Sequence, residues 1–378
     1  MIIIKKIIVL LTVLYFSTAW GLDASSNSLD ARKKARLEST VVNPNIPLEK
    51  RIHAIKELHS DIFVDGHIKR TFCAWDPIGK SGPIAATVND QVLRSLHYGL
   101  NLSVIVFQNE NELIENFLTE KTCDAILVRG ALVAQFNKFS ATIEAVGALP
   151  ESKHLQLLTQ VLADPKMGKS LTNDQYTVMG MATVGGSYVF VNDRSDTTLT
   201  SLKQKKIGVD SSNLGTETIV NTVGATPVKG ALMESVQSYV DGKVDAMISP
   251  ALPYIVAGNS QDSGNKGAFA NSISQSTLQL IGRTELFPLG IAQILREDFL
   301  FKFDTYSQRF MQELNGVVSE DFWISMSEAE TKKQNKIYQD IRIKLRDEGY
   351  YDASMLRLAR KIRCRFEPAN SECTNSVE

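Results

Sequence analysis

At several places in this 378-residue chain, side chains able to hold a polar solute stand at the end of an apolar run. Trp75 and Asp76 end the run Thr71-Phe72-Cys73-Ala74, and Arg129 follows Cys123-Asp124-Ala125-Ile126-Leu127-Val128. Asp210 follows Lys206-Ile207-Gly208-Val209, and Ser249 follows Val244-Asp245-Ala246-Met247-Ile248. The planar guanidinium of Arg129 can grip a carboxylate with two hydrogen bonds, or it can close an ion pair at a rim. Trp75 can stack on a ligand or fill the core. Asp76 can bind an amine or hydroxyl, or act as a turn residue before Pro77. Asp210, Ser211 and Ser212 precede a helix whose free amides can take an anion, and the same residues can cap that helix. Tyr188 and Asn192 lie where the chain should cross between two groups of strands, so they can touch ligand or form a hinge. Ser249, Pro250 and Tyr254 close the last strand-helix unit and can line a cleft. The candidate ligand-binding set is therefore Trp75, Asp76, Arg129, Tyr188, Asn192, Asp210, Ser249 and Tyr254. Gly185-Gly186 and Gly208 lack the spacing of a dinucleotide fingerprint, and there is no Walker loop, nucleophile elbow or H-E-x-x-H string. No catalytic residue, cofactor or metal is assigned.

The elements that must position these residues follow from periodicity. Apolar residues at helical spacing (Ile52, Ile55, Leu58, Ile62) predict a first helix from Pro47. The runs at 71–76, 102–107 and 123–128 alternate with helical stretches at 85–98 and 110–118, which implies a parallel sheet covered by helices. In such sheets ligands gather at the carboxyl ends of the strands, where Trp75, Asp76 and Arg129 fall. A second series begins at Tyr188-Val189-Phe190-Val191 and continues through 206–210, a helix near 217–223, 226–228, a helix near 236–240 and the strand 244–248. The stretch 278–295 reads as further strand-like material that returns the chain to the first series. Helices are predicted at 306–315, 328–348 and 353–362. The long middle one has the capping box Ser327-Glu328-Ala329-Glu330 at its start and Gly349 at its end. The fold expected is α/β, with two lobes, a hinge and bracing C-terminal helices. Residues 47–187 with 285–378 form lobe I, and 188–284 form lobe II.

Compartment and composition bound what such a body could do. Residues 1–21, with Lys5-Lys6, an apolar run from Ile7 to Phe16 and a small-residue exit, match a secretory signal peptide, and the run is short for a membrane span. Residues 22–46 are polar without a clear apolar period and read as a tether or loosely docked segment. The chain carries 41 basic and 42 acidic side chains; removing Lys5 and Lys6 takes the net charge from -1 to -3, which makes no electrostatic case for nucleic acid. Roughly 355 residues then remain, enough for two cores. An even count of four cysteines in an oxidising compartment favours disulfides. The short separation of Cys364 from Cys373 pairs those two, leaving Cys73 and Cys123 to fasten neighbouring strands.

Several strings resemble a known family: Phe72-Cys73-Ala74-Trp75-Asp76-Pro77-Ile78-Gly79-Lys80-Ser81-Gly82, Gln135-Phe136-Asn137-Lys138-Phe139, Gly147-Ala148-Leu149-Pro150, Phe190-Val191-Asn192-Asp193-Arg194, and the tail Arg363-Cys364 to Cys373. They resemble the AdeT-like solute-binding proteins, related to the periplasmic receptors (DctP-type) of tripartite ATP-independent (TRAP) transporters. The resemblance implies a type II periplasmic-binding-protein fold and a periplasmic monomer that captures a small polar or organic-acid-like ligand between its lobes and delivers it to inner-membrane transporter subunits. The efflux label sometimes attached to the family raises a second possibility, an envelope adapter. TRAP receptors for carboxylates typically place an Arg on the strand entering the second lobe. The matching strand here, Lys206 to Asp210, has none, so Arg129 is the candidate to supply that cation from the other lobe.

Overall fold

Ala125-Ile126-Leu127-Val128-Arg129 is buried along its whole length, and Lys206-Ile207-Gly208-Val209-Asp210 is buried after its first residue. Continuous apolar runs of this kind suit strands covered on both faces. The computed structural model describes residues 30–257 and 264–378. The signal-peptide reading at 1–21 lies outside the described residues. Strands β1 (Ile68–Trp75), β2 (Leu100–Phe107) and β3 (Ala125–Arg129) form one parallel array, and β5 (Lys206–Asp210), β6 (Thr226–Gly230) and β7 (Ala246–Pro250) form another. Between them lie two antiparallel strands, β4 (Tyr176–Val191) and β9 (Ser274–Arg283), giving the order β2-β1-β3-β9-β4-β7-β5-β6. Short strands β8 (Gly267–Phe269) and β10 (Trp323–Ile324) attach beside β4.

The molecule thus consists of two α/β lobes joined through the β4/β9 pair. β9 lies against β3 over Leu278 to Gly282, while the far end of β4 lies against β7 over Ser187 to Val191. The sequence reading starts a strand only at Tyr188, after Gly185-Gly186. The strand in fact runs through both glycines from Tyr176. These glycines are required by packing. A β-carbon on Gly180 would sit 2.2 Å from the Phe299 ring, and one on Gly185, whose φ is +82°, would sit 2.0 Å from Phe310. Helices Leu289–Phe301 and Phe303–Val317 press directly on the crossing strand as a result. Arg296 completes the contact by donating to the Val178 carbonyl at 2.9 Å, beside the register shift between Val178 and Gly180.

Two other expectations change. The strand-like stretch 278–295 divides into β9 and the start of the helix Leu289–Phe301. That helix buries an unbroken run from Gly290 to Arg296, and a stretch buried on all sides carries no clear period by which sequence could tell helix from strand. The reading of 22–46 as a tether or a loosely docked segment did not foresee regular structure in its described part. Residues 30–42 are helical, Val41 is buried against Gly290 and Ile55, and its carbonyl accepts from Arg51 Nε at 2.9 Å.

The C-terminal helices are close to expectation: Phe303–Val317, Glu328–Asp347 and Ala353–Phe366. Ser327 Oγ accepts from the Glu330 amide at 3.2 Å, and Gly349 takes φ +77°. Arg342 and Arg363 donate to the carbonyls of Val146 and Ala148 at 2.9 and 2.8 Å, tying these helices to the turn at Gly147. Tyr351 reaches Gly215 at the start of the lobe II helix Leu214–Thr222, so the brace touches both lobes.

Both expected disulfides are present. Cys73–Cys123 joins β1 to the residues leading into β3, and Cys364–Cys373 closes the tail. Replacing Cys73 and Cys123 together by Ala, in a bridge that closes a 50-residue separation, is expected to cost about 2–4 kcal/mol. Calorimetric melting with and without reductant checks this: reduction also opens Cys364–Cys373, so the wild type should lose more on reduction than the double variant does, and the two should melt alike once reduced.

Candidate functional site

β1 and β3 of the first lobe and β5 of the second end at the same place, and their last side chains meet there. Trp75 closes β1 and donates through Nε1 to the Gln108 carbonyl at 3.1 Å. Arg129 closes β3, with its guanidinium 5.6 Å from the centre of the Trp75 ring. Its Nε and Nη2 bind the two oxygens of Glu110 at 2.7 and 2.6 Å, and its Nη1 binds Asp210 Oδ2 at 2.5 Å across the gap between the lobes. Glu110 opens the helix Glu110–Glu115, whose N-terminal amides are capped by Asn109. The other oxygen of Asp210 accepts from the Ser212 amide at 3.0 Å.

A third carboxylate, Glu144, arrives from the turn Thr142–Glu144 and accepts from the Thr277 amide and hydroxyl at 2.6 and 2.7 Å. It reaches there by crossing Gly130, where an added β-carbon would stand 2.2 Å from Glu144 Oε1. A glycine after Arg129 is therefore a condition of the site.

The electrostatics follow from one cation among these acids. Burial pulls the Arg129 guanidinium toward neutrality, but Glu110 and Asp210 outweigh it and hold its pKa above the usual value. Burial pushes Asp210 up, and Arg129 outweighs that and holds it below the ordinary carboxylate range. For Glu144 desolvation dominates over the Thr277 bonds and the more distant Arg129, and its pKa rises to about 7.

Trp75, Arg129, Glu144, Asp210 and Thr277 line a cavity of about 560 Å³, including its open mouth, together with Ser187, Asn213, Thr216 and Ser276, and Glu110 stands behind Arg129. Ile84, Val184, Leu252 and Leu278 form a wall shared with an adjoining chamber of about 660 Å³, which is lined by Phe72, Val88, Leu127, Phe299 and Phe310. On the opposite side, Ala131, Glu144 and Asn213 are shared with a smaller recess that reaches Tyr350 and Tyr351. The cleft thus has a charged centre and one apolar end.

Of the eight candidates, Trp75, Arg129 and Asp210 meet at this centre. Asp76 does not: it is fully buried, and its carboxylate accepts the amides of Ile78, Ile84 and Ala85, each at 2.9 Å, as the cap of the helix Pro83–Ser95. Tyr188 and Ser249 are out of phase by one residue. Side chains alternate along a strand, so Ser187, Ile248 and Pro250 face the cleft while Tyr188 packs on Trp323 at 4.9 Å. Ser249 Oγ donates to the Pro250 carbonyl at 2.9 Å. Asn192 donates to the Val244 carbonyl at 2.9 Å beyond the hinge strand. Tyr254 stacks on Phe190 and Phe322, at 4.7 and 5.6 Å, while its neighbours Leu252 and Pro253 line the cavity. Glu110, Glu144, Asn213, Thr216 and Thr277 were missed. Glu110 and Asn213 were legible, because each stands at the start of a helix following a strand. Glu144 and Thr277 carry no local signal.

Two outcomes test the ion network. Arg129→Gln leaves two buried carboxylates unpaired, and denaturant titration should show a loss of about 3–5 kcal/mol. Glu144 holds its proton to higher pH when folded than when unfolded, so its contribution is full below the ordinary value of 4.5 and is lost as pH rises toward about 7. Comparison with Glu144→Gln should show the wild type losing relative stability across that window, on the order of 1–2 kcal/mol after discounting for partial exposure.

Known proteins are similar to this chain in sequence or in fold. The profile of the family described as "Solute-binding protein AdeT 1/2" matches residues 91–378. The chain is 28% identical over 312 residues to "Probable solute-binding protein AdeT1" of Acinetobacter baumannii, covering 80% of this chain and all of that one. Against "Probable solute-binding protein AdeT2" of the same organism it is 25% identical over 232 residues, 61% of this chain and 97% of the other. Among solved structures, a TRAP periplasmic solute binding protein from Desulfovibrio salexigens with bound orotic acid superimposes with a TM-score of 0.63 at 13% identity, over 79% of this chain and 99% of that one. Another, from Haemophilus influenzae with bound L-gulonate, gives 0.61 at 10% identity, over 78% and 99%.

Proposed function

The chain belongs to the AdeT 1/2 solute-binding protein family, and on that premise we propose that it closes two lobes around a small polar solute and hands the solute to a transporter in the inner membrane. One observation carries this reading: the ends of β1 and β3 from one lobe and of β5 from the other converge on a single cavity, and Arg129 binds Asp210 across it. A bridge between lobes made at the ligand site makes closure and occupancy interdependent, which is what a receptor that signals its loaded state requires. The lobes divide as 47–187 with 285–378, and 188–284, so both crossings fall at the β4/β9 pair. The reading of residues 1–21 as a signal peptide supports export to the periplasm, and the receptor reading takes the chain as a monomer. The solved neighbours with orotic acid and L-gulonate bound support a small organic ligand of that size.

Arg129, Glu110 and Asp210 are bonded to one another rather than set beside an activated nucleophile, which supports capture without covalent chemistry. An adapter built on the same fold predicts an exposed apolar patch in place of a formed cleft; the cavity at the meeting ends of β1, β3 and β5 favours the receptor.

Native mass spectrometry of protein recovered from the periplasm without denaturation should show an added small-molecule mass that disappears on unfolding, and X-ray scattering should show compaction when that solute is returned to stripped protein. Scattering profiles identical with and without a tightly bound solute would remove the receptor reading.

A further inference from the structure

Resting on the receptor reading above, the geometry points to the class of solute: an organic cation, with an ammonium head at Glu144 and Trp75 and an apolar body in the chamber behind Ile84 and Leu252. The charge arrangement of the cleft is the first reason. Arg129 is its only cation among the described residues lining the centre, and it faces three carboxylates, Glu110, Asp210 and Glu144. The field at the centre is negative when Glu144 is ionised, and neighbouring low-dielectric walls focus it.

The second reason is the use already made of each polar atom. Both oxygens of Glu110 are taken by Arg129, and those of Asp210 by Arg129 and the Ser212 amide. Glu144 Oε1 takes both Thr277 donors, and no donor among the described residues reaches Glu144 Oε2. A carboxylate oxygen is thus left for a donor that the protein does not supply. An entering acid meets the opposite situation. Arg129 keeps two N–H donors beyond its three bonds, but an acid taking them shares the one cation with Glu110 and Asp210 and is repelled by them and by Glu144, and one that displaces either leaves a buried carboxylate without its cation. An ammonium head breaks no existing bond, and the Trp75 ring beside it already carries the Arg129 guanidinium at 5.6 Å, a surface suited to cations.

The third reason is the shape of the remaining space. The charged centre shares Ile84, Val184, Leu252 and Leu278 with a chamber whose further lining includes Phe72, Val88, Leu127, Phe299 and Phe310. Arg309, the charged side chain lining that chamber, is compensated by Asp90 at 3.5 Å and donates to Thr87 Oγ1 at 3.0 Å. A solute with a cationic head and an apolar body matches both compartments at once.

Size-matched pairs that differ in the sign of the head separate this from an acid ligand. Calorimetric titration of the folded, exported protein at fixed ionic strength would compare propylammonium with butanoate, hexylammonium with heptanoate, and phenethylammonium with 3-phenylpropanoate. The ammonium member of each pair should bind at least tenfold more tightly, and affinity should rise from propyl to hexyl as the chain enters the apolar chamber. Glu144→Gln should abolish the preference, and Glu144→Asp should keep it, with melting curves confirming that both variants fold. Tighter binding of the carboxylate members overturns the cation and leaves the receptor intact. Binding by neither series overturns it as well, and the native mass spectrum then separates the two readings: a carried acid leaves the receptor standing, and an empty protein removes both.

Discussion

Every wall of the cleft hangs from the pairing of β4 with β9. Two parallel arrays cannot share an edge directly in this chain, since β3 and β7 run to the boundary from opposite lobes and each needs a backbone partner there. β9 meets β3, β4 meets β7, and the two strands pair with each other over most of their lengths. Because a buried backbone group must find a hydrogen bond, this pair fixes where the lobes face each other. Its two register shifts, between Val178 and Gly180 and between Thr183 and Gly186, loosen the ladder where the chain crosses. A bulged strand bends more readily than a regular one, which suits a connection between bodies that open and close.

Two helices hold that crossing strand, and they do so through glycine. Phe299 and Phe310 occupy the space that β-carbons on Gly180 and Gly185 would need. Arg296 satisfies the Val178 carbonyl beside the first irregularity. The polar and apolar parts of the cleft share this same support: Phe299 and Phe310 also line the apolar chamber. On the far side, Arg342 and Arg363 are buried with Glu372 and Glu378 in a network of four charges that also binds the carbonyls of Val146 and Ala148. Such a network adds little net stability over apolar packing, but its geometry admits few alternatives. It sets the turn at Gly147, and Glu144, three residues earlier, is positioned by the same segment.

The centre of the cleft is an electrostatic balance in which one guanidinium serves two lobes. Arg129 is held rigidly to Glu110 within its own lobe by two parallel bonds, which leaves one nitrogen for Asp210 across the gap. The intralobe pair orients the cation and the interlobe bond reports the relative position of the lobes. Glu144 stands outside this arrangement. Its bonds come from neutral groups of Thr277, which oppose its desolvation only in part, and its pKa rises to about 7 for that reason.

The order of elements, the two parallel arrays, the cysteine pairing, and Trp75, Arg129 and Asp210 at strand ends were all legible in the sequence. Each rests on local spacing: a period of two or 3.6, a short Cys separation, or the chemistry that follows an apolar run. The phase of a side chain on a long strand is different in kind. Whether Tyr188 or Ser187, Ser249 or Ile248, turns to the cleft depends on register with β9 and on which neighbour covers each face. A shift of one residue exchanges the faces without altering the pattern. Likewise the residues before Tyr188 carry no strand signal that was read, and the structure runs the crossing strand through Gly185-Gly186, with Phe310 packed where a β-carbon on Gly185 would stand. Glu144 and Thr277 are 133 residues apart, and nothing near either one marks it. Their meeting is decided by β9 passing under the end of β3, a long-range contact that local sequence does not encode.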